Sequence, residues 1–263
     1  MHARELSVTT VAAQLRALGV QPGGVLLVHT SFRAVRPIEG GPLGLVDALR
    51  TALGPDGTLV MVSYTGSDDE PFDPRTTPAS PDLGVVADMF WRLPGVERSD
   101  HPFAFAAAGP RAKAITRDPL PTPPHRLESP VGRVYELDGQ VLLLGVAHDA
   151  DTTLHLAECL AEVPYGLAKH ITILHHGRPV RVDYRENDHC CARFALADDW
   201  LTEHGLQAKG QVGNGQARLF RAGDVVRLAL QRLHDDPLLF LHPLAAGCAE
   251  CTEARESTLS TMR

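Results

Sequence analysis

The sequence of 263 residues predicts an α/β protein, a layered α/β/α domain with a mixed central sheet and a C-terminal part carrying a hairpin and helices. Three observations carry this expectation. Short apolar runs bounded by turn residues alternate with segments whose apolar residues recur at helical spacing, the pattern of βαβ units. Glycines stand where several of the helical segments should stop. Beyond Pro164 the pattern changes to two strand-like runs around a tight turn.

In chain order, Thr9 to Leu18 has helical spacing and ends at Gly19, and Val25 to His29 follows as a strand. Leu45 to Leu53 is a helix closed by Gly54, and the turn Pro55-Asp-Gly57 leads into a strand from Thr58 to Ser63. Val85 to Leu93 is helical, Phe103 to Ala108 extended, and Arg111 to Thr116 helical after Gly109-Pro110. A helix from Val131 to Leu137 turns at Asp138-Gly139 into the strand Gln140 to Leu144, and a further helix spans Thr153 to Glu162. Ile171 to His175 and Val180 to Tyr184 flank His176-Gly177-Arg178 as a hairpin. Helices are expected around Cys191 to Glu203 and Asp224 to His234, with a short strand from Leu238 to Leu241. Repeats and linkers are missing, and the Pro-containing stretches Pro71 to Pro81 and Pro119 to Pro130 are short, so residues 1–263 read as a single domain with a substantial core.

A formal net charge of -7 argues against nonspecific nucleic-acid binding, which needs a basic face, and suits a cationic partner. No apolar run is long enough to cross a bilayer, and Met1 to Leu6 lacks the apolar core of a secretion signal, so the expected location is cytoplasmic. The five cysteines, Cys159, Cys190, Cys191, Cys248 and Cys251, form an odd set with two close pairs. That is a poor disulfide framework and a candidate metal site in a reducing compartment.

The chemistry centres on Asp151 to Glu158. His155 and Glu158 lie three apart on one helical face, just after the apolar run Val141 to Gly145, where sites of open α/β sheets gather. His155 can take a proton near neutral pH, and Glu158 can hold the imidazole or a substrate cation. A surface histidine beside a solvated carboxylate is the bland alternative. Val25 to Arg33 is a second strand that runs into a hydroxyl-rich turn. A loose glycine pattern, Gly210 to Gly215, has no convincing strand before it and is not read as a phosphate loop.

These two segments resemble the aminoglycoside 3-N-acetyltransferases, and the resemblance continues through Gly54 to Thr58, Arg98 to Pro102, Ser129-Pro130 and Asp151 to Glu158. Glu186 to Cys191 and Gly247 to Cys251 look closest to the type IV branch, which acetylates apramycin. The resemblance implies transfer of acetyl from acetyl-coenzyme A to the 3-amino group of the deoxystreptamine ring of an aminoglycoside antibiotic, giving resistance. His155 is then the general base for direct attack in a ternary complex, with Glu186 or Glu158 fixing its tautomer. Direct transfer is expected because no cysteine is placed in the cleft. Cys159, one turn from His155, is the nearest and reads as buried.

By position, Thr30, Ser31, Phe32, Arg33, Ser129 and Val131 would border coenzyme A. Antibiotic contacts are expected from Tyr64 as an apolar wall and from Asp68, Asp69, Glu70, Glu158 and Asp188, since a polycation calls for several carboxylates. A subset of His189, Cys190, Cys191, Cys248 and Cys251 would hold a structural zinc, or else these are small buried thiols. Arg98 and His101 read as structural, while His125, His148, His175, His176, His204 and His234 read as exposed or satisfied by backbone. Two other readings are a zinc-dependent amidohydrolase and a noncatalytic aminoglycoside-binding protein. The chain is expected to be a monomer or small homo-oligomer.

Overall fold

The computed structural model describes residues 5–117 and 123–260, so part of the second Pro-containing stretch lies outside the described residues. Helix α1 (Val8–Leu18) is capped at its start by Ser7 and at its end by Gly19 in the left-handed conformation. Strand β1 (Val25–Thr30), a single turn α2 (Phe32–Val35), helix α3 (Gly41–Leu53) and strand β2 (Thr58–Val62) follow. Next come α4 (Gly84–Trp91), β3 (Glu97–Arg98), β4 (Phe105–Ala108), α5 (Ala112–Ile115), α6 (Pro130–Glu136) and β5 (Gln140–Leu144). Helix α7 (Thr152–Leu160) precedes the hairpin β6 (Leu167–His175) and β7 (Arg178–Glu186). The chain continues through α8 (Leu196–Glu203), β8 (Gln207–Val212), β9 (Gly215–Arg221), α9 (Ala222–Asp235) and α10 (Ala249–Ser260).

The main sheet has seven strands in the order β3-β4-β2-β1-β5-β9-β8, and β6 and β7 form a separate pair. Strand β1 lies parallel to both β2 and β5, while β4 and β9 add antiparallel flanks. The central strands are buried on both faces, so they carry nearly unbroken apolar runs instead of alternation. Leu26, Val28, Met61 and Leu142 face a core with α1, α3 and α4; Leu27, Val60, Val141 and Leu143 face the core with α6 to α9. Leu142 and Leu143 are each 0 % exposed, and a buried leucine contributes about 1.5–3 kcal/mol relative to an exposed one. The strand order reverses at β1 and β5, which opens a crevice at their carboxyl ends.

Two expectations need correction. Leu238 to Leu241 is a turn and not a strand, held by Leu241 N–H on the Leu238 carbonyl at 2.9 Å. The glycine-containing stretch Gly210 to Gly215 does follow a strand: Gly210 to Val212 end β8, Gly213-Asn214 turn the β8–β9 hairpin, and Gly215 opens β9, which completes the sheet. β8 is an edge strand of largely polar residues, so its sequence carries little apolar signal. Gly213 sits there at φ 59°, and a Cβ on it would stand 2.5 Å from the Val35 carbonyl oxygen. Gly177, at the tip of the other hairpin, has φ 74° but open space around it. Gly213→Ala should therefore lower the chemical-denaturation midpoint more than Gly177→Ala does, with the former costing at least about 1 kcal/mol; equal midpoints would show that the turn tolerates the side chain.

Candidate active site

Helix α7 begins at the crevice because Asp151 caps it, with Oδ1 accepting the Thr153 amide at 3.0 Å. The chain reaches that cap through Gly145, whose φ of 72° lets it pass where a Cβ would stand 2.7 Å from Ala34 Cβ. His155 then points into a cleft of about 280 Å3 that is also bordered by Thr30, Tyr64, Phe103, Cys191 and Phe194.

The expected pairing on one helical face is present. His155 Nδ1 lies 2.7 Å from Glu158 Oε2, and Glu158 is fully buried. The other carboxylate oxygen takes two more donors, His189 Nε2 at 2.8 Å and the Tyr165 hydroxyl. Burial would raise the Glu158 pKa, but the hydrogen bonds from His155 and His189 outweigh it and hold the group at about 2. An ionised Glu158 makes Nδ1 of His155 the protonated nitrogen and leaves Nε2 toward the cleft. For the His155 ring, burial favours loss of the proton, yet Cys191 and then Glu158 outweigh it and place its pKa well above the ordinary histidine value.

A wall of rings fixes the imidazole plane. His125 stacks on His155 with centroids 4.8 Å apart and an interplanar angle of 21°, and Phe194 meets His155 edge-on at 4.9 Å. Phe103 packs against His125 at 4.7 Å and Tyr64 against Phe103 at 4.7 Å. His125 is buried and neutral, because desolvation lowers its pKa well below the ordinary value and the neighbouring histidines add to that. It was expected to be exposed or satisfied by backbone, yet its Nε2 has no partner among the described residues. His148 is also buried, with Nε2 2.9 Å from Gln207 Oε1. His204 does bond backbone, on the Trp200 carbonyl, and His234 is exposed.

Glu186 does not orient His155. Its Oε2 accepts the Tyr184 hydroxyl at 3.2 Å and its Oε1 stands 3.9 Å from His125 Nδ1, so it stands behind the ring that His155 stacks on. Burial is the main cause that raises Glu186 to about 7. Glu158 cannot touch antibiotic as well as hold the base, since it has no exposed surface. Ser129 and Val131 are likewise 0 % exposed: the Ser129 hydroxyl donates to the Arg126 carbonyl at 2.6 Å and caps α6, and Val131 sits in the core. Neither can border a cofactor. Thr30, Ser31 and Phe32 are half-buried and Arg33 exposed, all at the carboxyl end of β1. Thr30 Oγ1 is buried without a hydrogen-bond partner among the described residues.

The acidic loop after β2 is held to the protein by Arg98 and Phe72. Arg98 stacks 4.3 Å from the Trp91 ring and donates to the Thr77 and Ser63 carbonyls, a structural role. Phe72 bridges to Ile173 of β6, so loop and hairpin meet. Asp68, Asp69 and Glu70 are exposed, with Asp69 2.7 Å from His170 Nε2, while Asp188 pairs with Lys169 Nζ at 2.5 Å. Asp82 and Asp149, both exposed at the cleft, were missed. Nothing in their local sequence separates them from other helix-start acids.

The cysteines divide into two groups. Cys191 Sγ lies 3.3 Å from His155 Nε2 in the cleft, which corrects the expectation that no cysteine stands there. Cys159 is not that residue; burial pushes its thiol up to about 11. His189 and Cys191 also leave the expected zinc set: His189 spends Nε2 on Glu158 and Nδ1 on the Cys191 amide, so no lone pair remains for a metal. The other group is Cys190, Cys248 and Cys251 with His242, a residue the sequence reading did not include.

The family model for aminoglycoside 3-N-acetyltransferase matches residues 27–234. Aminoglycoside N(3)-acetyltransferase IV from Salmonella sp is 68 % identical over 234 residues, covering 89 % of this chain and 90 % of that protein. Among solved structures, the apoenzyme of aminoglycoside acetyltransferase AAC(3)-IVa superposes with a TM-score of 0.95 at 66 % identity, covering 97 % of this chain and 99 % of that one. A histidine-to-alanine mutant of the same enzyme has been solved with a gentamicin, TM-score 0.96 at 65 % identity, covering 98 % of this chain and 99 % of that one. Its complex with apramycin superposes with a TM-score of 0.89 at 63 % identity, covering 95 % of this chain and 100 % of that one. AAC-IIIb bound to CoASH matches at a TM-score of 0.81 and 26 % identity, covering 88 % of this chain and 97 % of that one. From the extent of these matches and the shared fold, the chain belongs to the aminoglycoside 3-N-acetyltransferase family.

Proposed function

We propose that the cleft transfers an acetyl group from acetyl-coenzyme A directly to the 3-amino group of the deoxystreptamine ring, with apramycin and gentamicin among the acceptors. The observation that carries the reading is the tautomer of His155: a buried carboxylate on Nδ1 leaves Nε2 aimed at the cleft as a proton acceptor. The step balances simply. His155 Nε2 takes one proton from the substrate ammonium, the freed amine forms a C–N bond to the thioester carbonyl, the C–S bond breaks, the second proton lost by that nitrogen goes to the departing coenzyme A thiolate, and His155 returns its own proton to solvent. Solved relatives bound to gentamicin, apramycin and CoASH support both co-substrates. Such a reaction, in a producer or a resistant host, protects the cell by removing a positive charge from the antibiotic.

Thr30, Ser31, Phe32 and Arg33 are the residues we assign to coenzyme A, with the unpartnered Thr30 hydroxyl as a donor toward it. The antibiotic would lie along Tyr64, with Asp68, Asp69, Glu70 and Asp188 facing its ammonium groups. The whole chain acts as one unit in the cytoplasm, as a monomer or small homo-oligomer, without nucleic-acid or membrane partners; no helix among the described residues is long and apolar enough to cross a membrane. A structural zinc ion near the C terminus belongs to the same reading and is kept apart from the reacting atoms.

A second route is favoured by one observation, the series Cys191, His155 and Glu158 in hydrogen-bond contact, which could activate a thiol as nucleophile. We favour direct transfer because the Cys191 thiol also has the His189 carbonyl oxygen at 3.3 Å as an acceptor, which leaves Nε2 available to the incoming ammonium. Protein incubated with acetyl-coenzyme A alone should show no added acetyl mass on Cys191, and Cys191→Ala should keep measurable turnover; a stoichiometric, chemically competent acetyl-enzyme would establish the covalent route instead.

With acetyl-coenzyme A and an aminoglycoside panel, thiol release should match the appearance of a product heavier by one acetyl group. His155→Ala should lower kcat by about 10²–10⁴-fold with little change in antibiotic KM, and turnover near wild type would remove the base assignment. Because the ring's pKa lies above the ordinary value and the neutral form is the active one, kcat/KM should climb with pH through an acid limb above 6.5. Glu158→Gln withdraws the carboxylate that raises this pKa, so its limb should move to lower pH and its plateau should fall; a limb that stays in place would assign it to another group. Asp188→Ala should raise the antibiotic KM several-fold and leave that for acetyl-coenzyme A unchanged, and an unaltered antibiotic KM would take Asp188 off the contact surface.

A further inference from the structure

We propose that Cys190, His242, Cys248 and Cys251 bind one zinc ion in a closed tetrahedral site, and that this ion fastens the C-terminal helix to the segment that holds the catalytic histidine. The ligand set stands on the cluster itself; only its link to catalysis rests on the role given to His155 above.

The four ligand atoms lie within 4.8 Å of one another. Cys190 Sγ is 3.6 Å from Cys251 Sγ and 3.3 Å from His242 Nδ1, and Cys251 Sγ is 3.6 Å from the same nitrogen. In a tetrahedral zinc site, bonds of about 2.3 Å to sulfur and about 2.0–2.1 Å to nitrogen place neighbouring sulfurs about 3.8 Å apart and sulfur and nitrogen about 3.6 Å apart. The arrangement is therefore close to the size a bound ion requires, and too open for a disulfide of about 2.05 Å. Four protein ligands leave no open position for a substrate, so the site is structural.

Two of the sulfurs already accept backbone amides. The Ala192 amide donates to Cys190 Sγ and the Cys251 amide to Cys248 Sγ, the kind of outer contact that holds metal-bound sulfur. Arg255 fixes the segment that carries His242 by donating to the His242 and Leu241 carbonyls at 3.0 Å each.

Helix α10 needs such an anchor. Among its residues with described side chains, only Cys251 and Ala254 are buried, so it has little apolar face to hold it down. At the other end of the site, Cys190 sits directly between His189, which bonds Glu158, and Cys191, which bonds His155. Fixing Cys190 thus fixes both neighbours of the base.

The test uses the full chain purified in reducing buffer without chelator. Metal analysis should return about one zinc per chain, and cobalt in its place should give the intense visible bands of a tetrahedral thiolate site. His155→Ala should lose turnover and keep its zinc, so the catalytic and metal readings fail separately. Cys248→Ser with Cys251→Ser should abolish zinc binding; should that protein not fold, the wild-type cobalt spectrum still decides. Stripping the metal should speed proteolysis of α10 and lower kcat. Negligible uptake from equimolar zinc, or a native Cys190–Cys251 disulfide, would overturn the site; full metal loss with unchanged proteolysis and turnover would overturn the fastening.

Discussion

Glu158 is the point on which the site is built. A carboxylate with no exposed surface would be costly if left alone, because burial disfavours its charge by several kcal/mol, roughly, even after relaxation. Three donors offset that cost, and each comes from a different part of the chain: His155 from α7, Tyr165 from just before β6, and His189 from just after β7. The charge therefore ties the helix to both ends of the hairpin. Removing any donor would leave the carboxylate with less support in a dry site, which couples the local fold to the protonation state of the base.

The hairpin itself is remote from the main sheet in hydrogen bonding, yet it delivers much of the chemistry. Its two ends frame Glu158, its inner strand meets the acidic loop through Phe72 and Ile173, and its last residue, Glu186, supports His125 behind the base. The ring stack from Tyr64 to Phe194 then excludes water on one side of His155. Exclusion of water strengthens the His155–Glu158 interaction, and it also explains why His125 stays neutral: two adjacent stacked imidazolium ions in such a site would repel.

Much of this was legible where the signal is local. The central strands announced themselves as unbroken apolar runs, and His155 and Glu158 by their spacing on a helix whose cap, Asp151, is also written in the sequence. The losses follow one rule, that contacts between distant segments leave no local trace. His189 and Tyr165 meet Glu158 across 31 and 7 residues, and His125, in a turn, stacks on a ring carried by α7. His242 has no motif of its own, since it lies six residues before Cys248 and faces the cluster only because the turn after α9 brings it back. Ser129 and Val131 were assigned by position alone, and burial shows why position misleads: a capping hydroxyl and a core valine are kept by the fold whether or not a ligand lies near. No helix is expected over α10 for a related reason, its sequence having almost no apolar periodicity.

The distribution of acids around the cleft determines how a polycation would be held. Asp188 and Asp69 are already matched by Lys169 and His170 of the hairpin, at 2.5 and 2.7 Å. An incoming ammonium must displace or share these partners, and a surface ion pair such as Asp188–Lys169 costs only about 0–1 kcal/mol to break. These contacts can therefore exchange readily between protein and antibiotic. Asp82 and Asp149 make no ion pair among the described residues and stand at the cleft where Thr30 and His155 converge. Their charges are uncommitted, so an ammonium near them gains attraction without first releasing a protein cation. Broad, exchangeable contact at the hairpin and fixed attraction at the cleft would together orient one amine of several toward His155, which is the selection that a reaction at a single ring position requires.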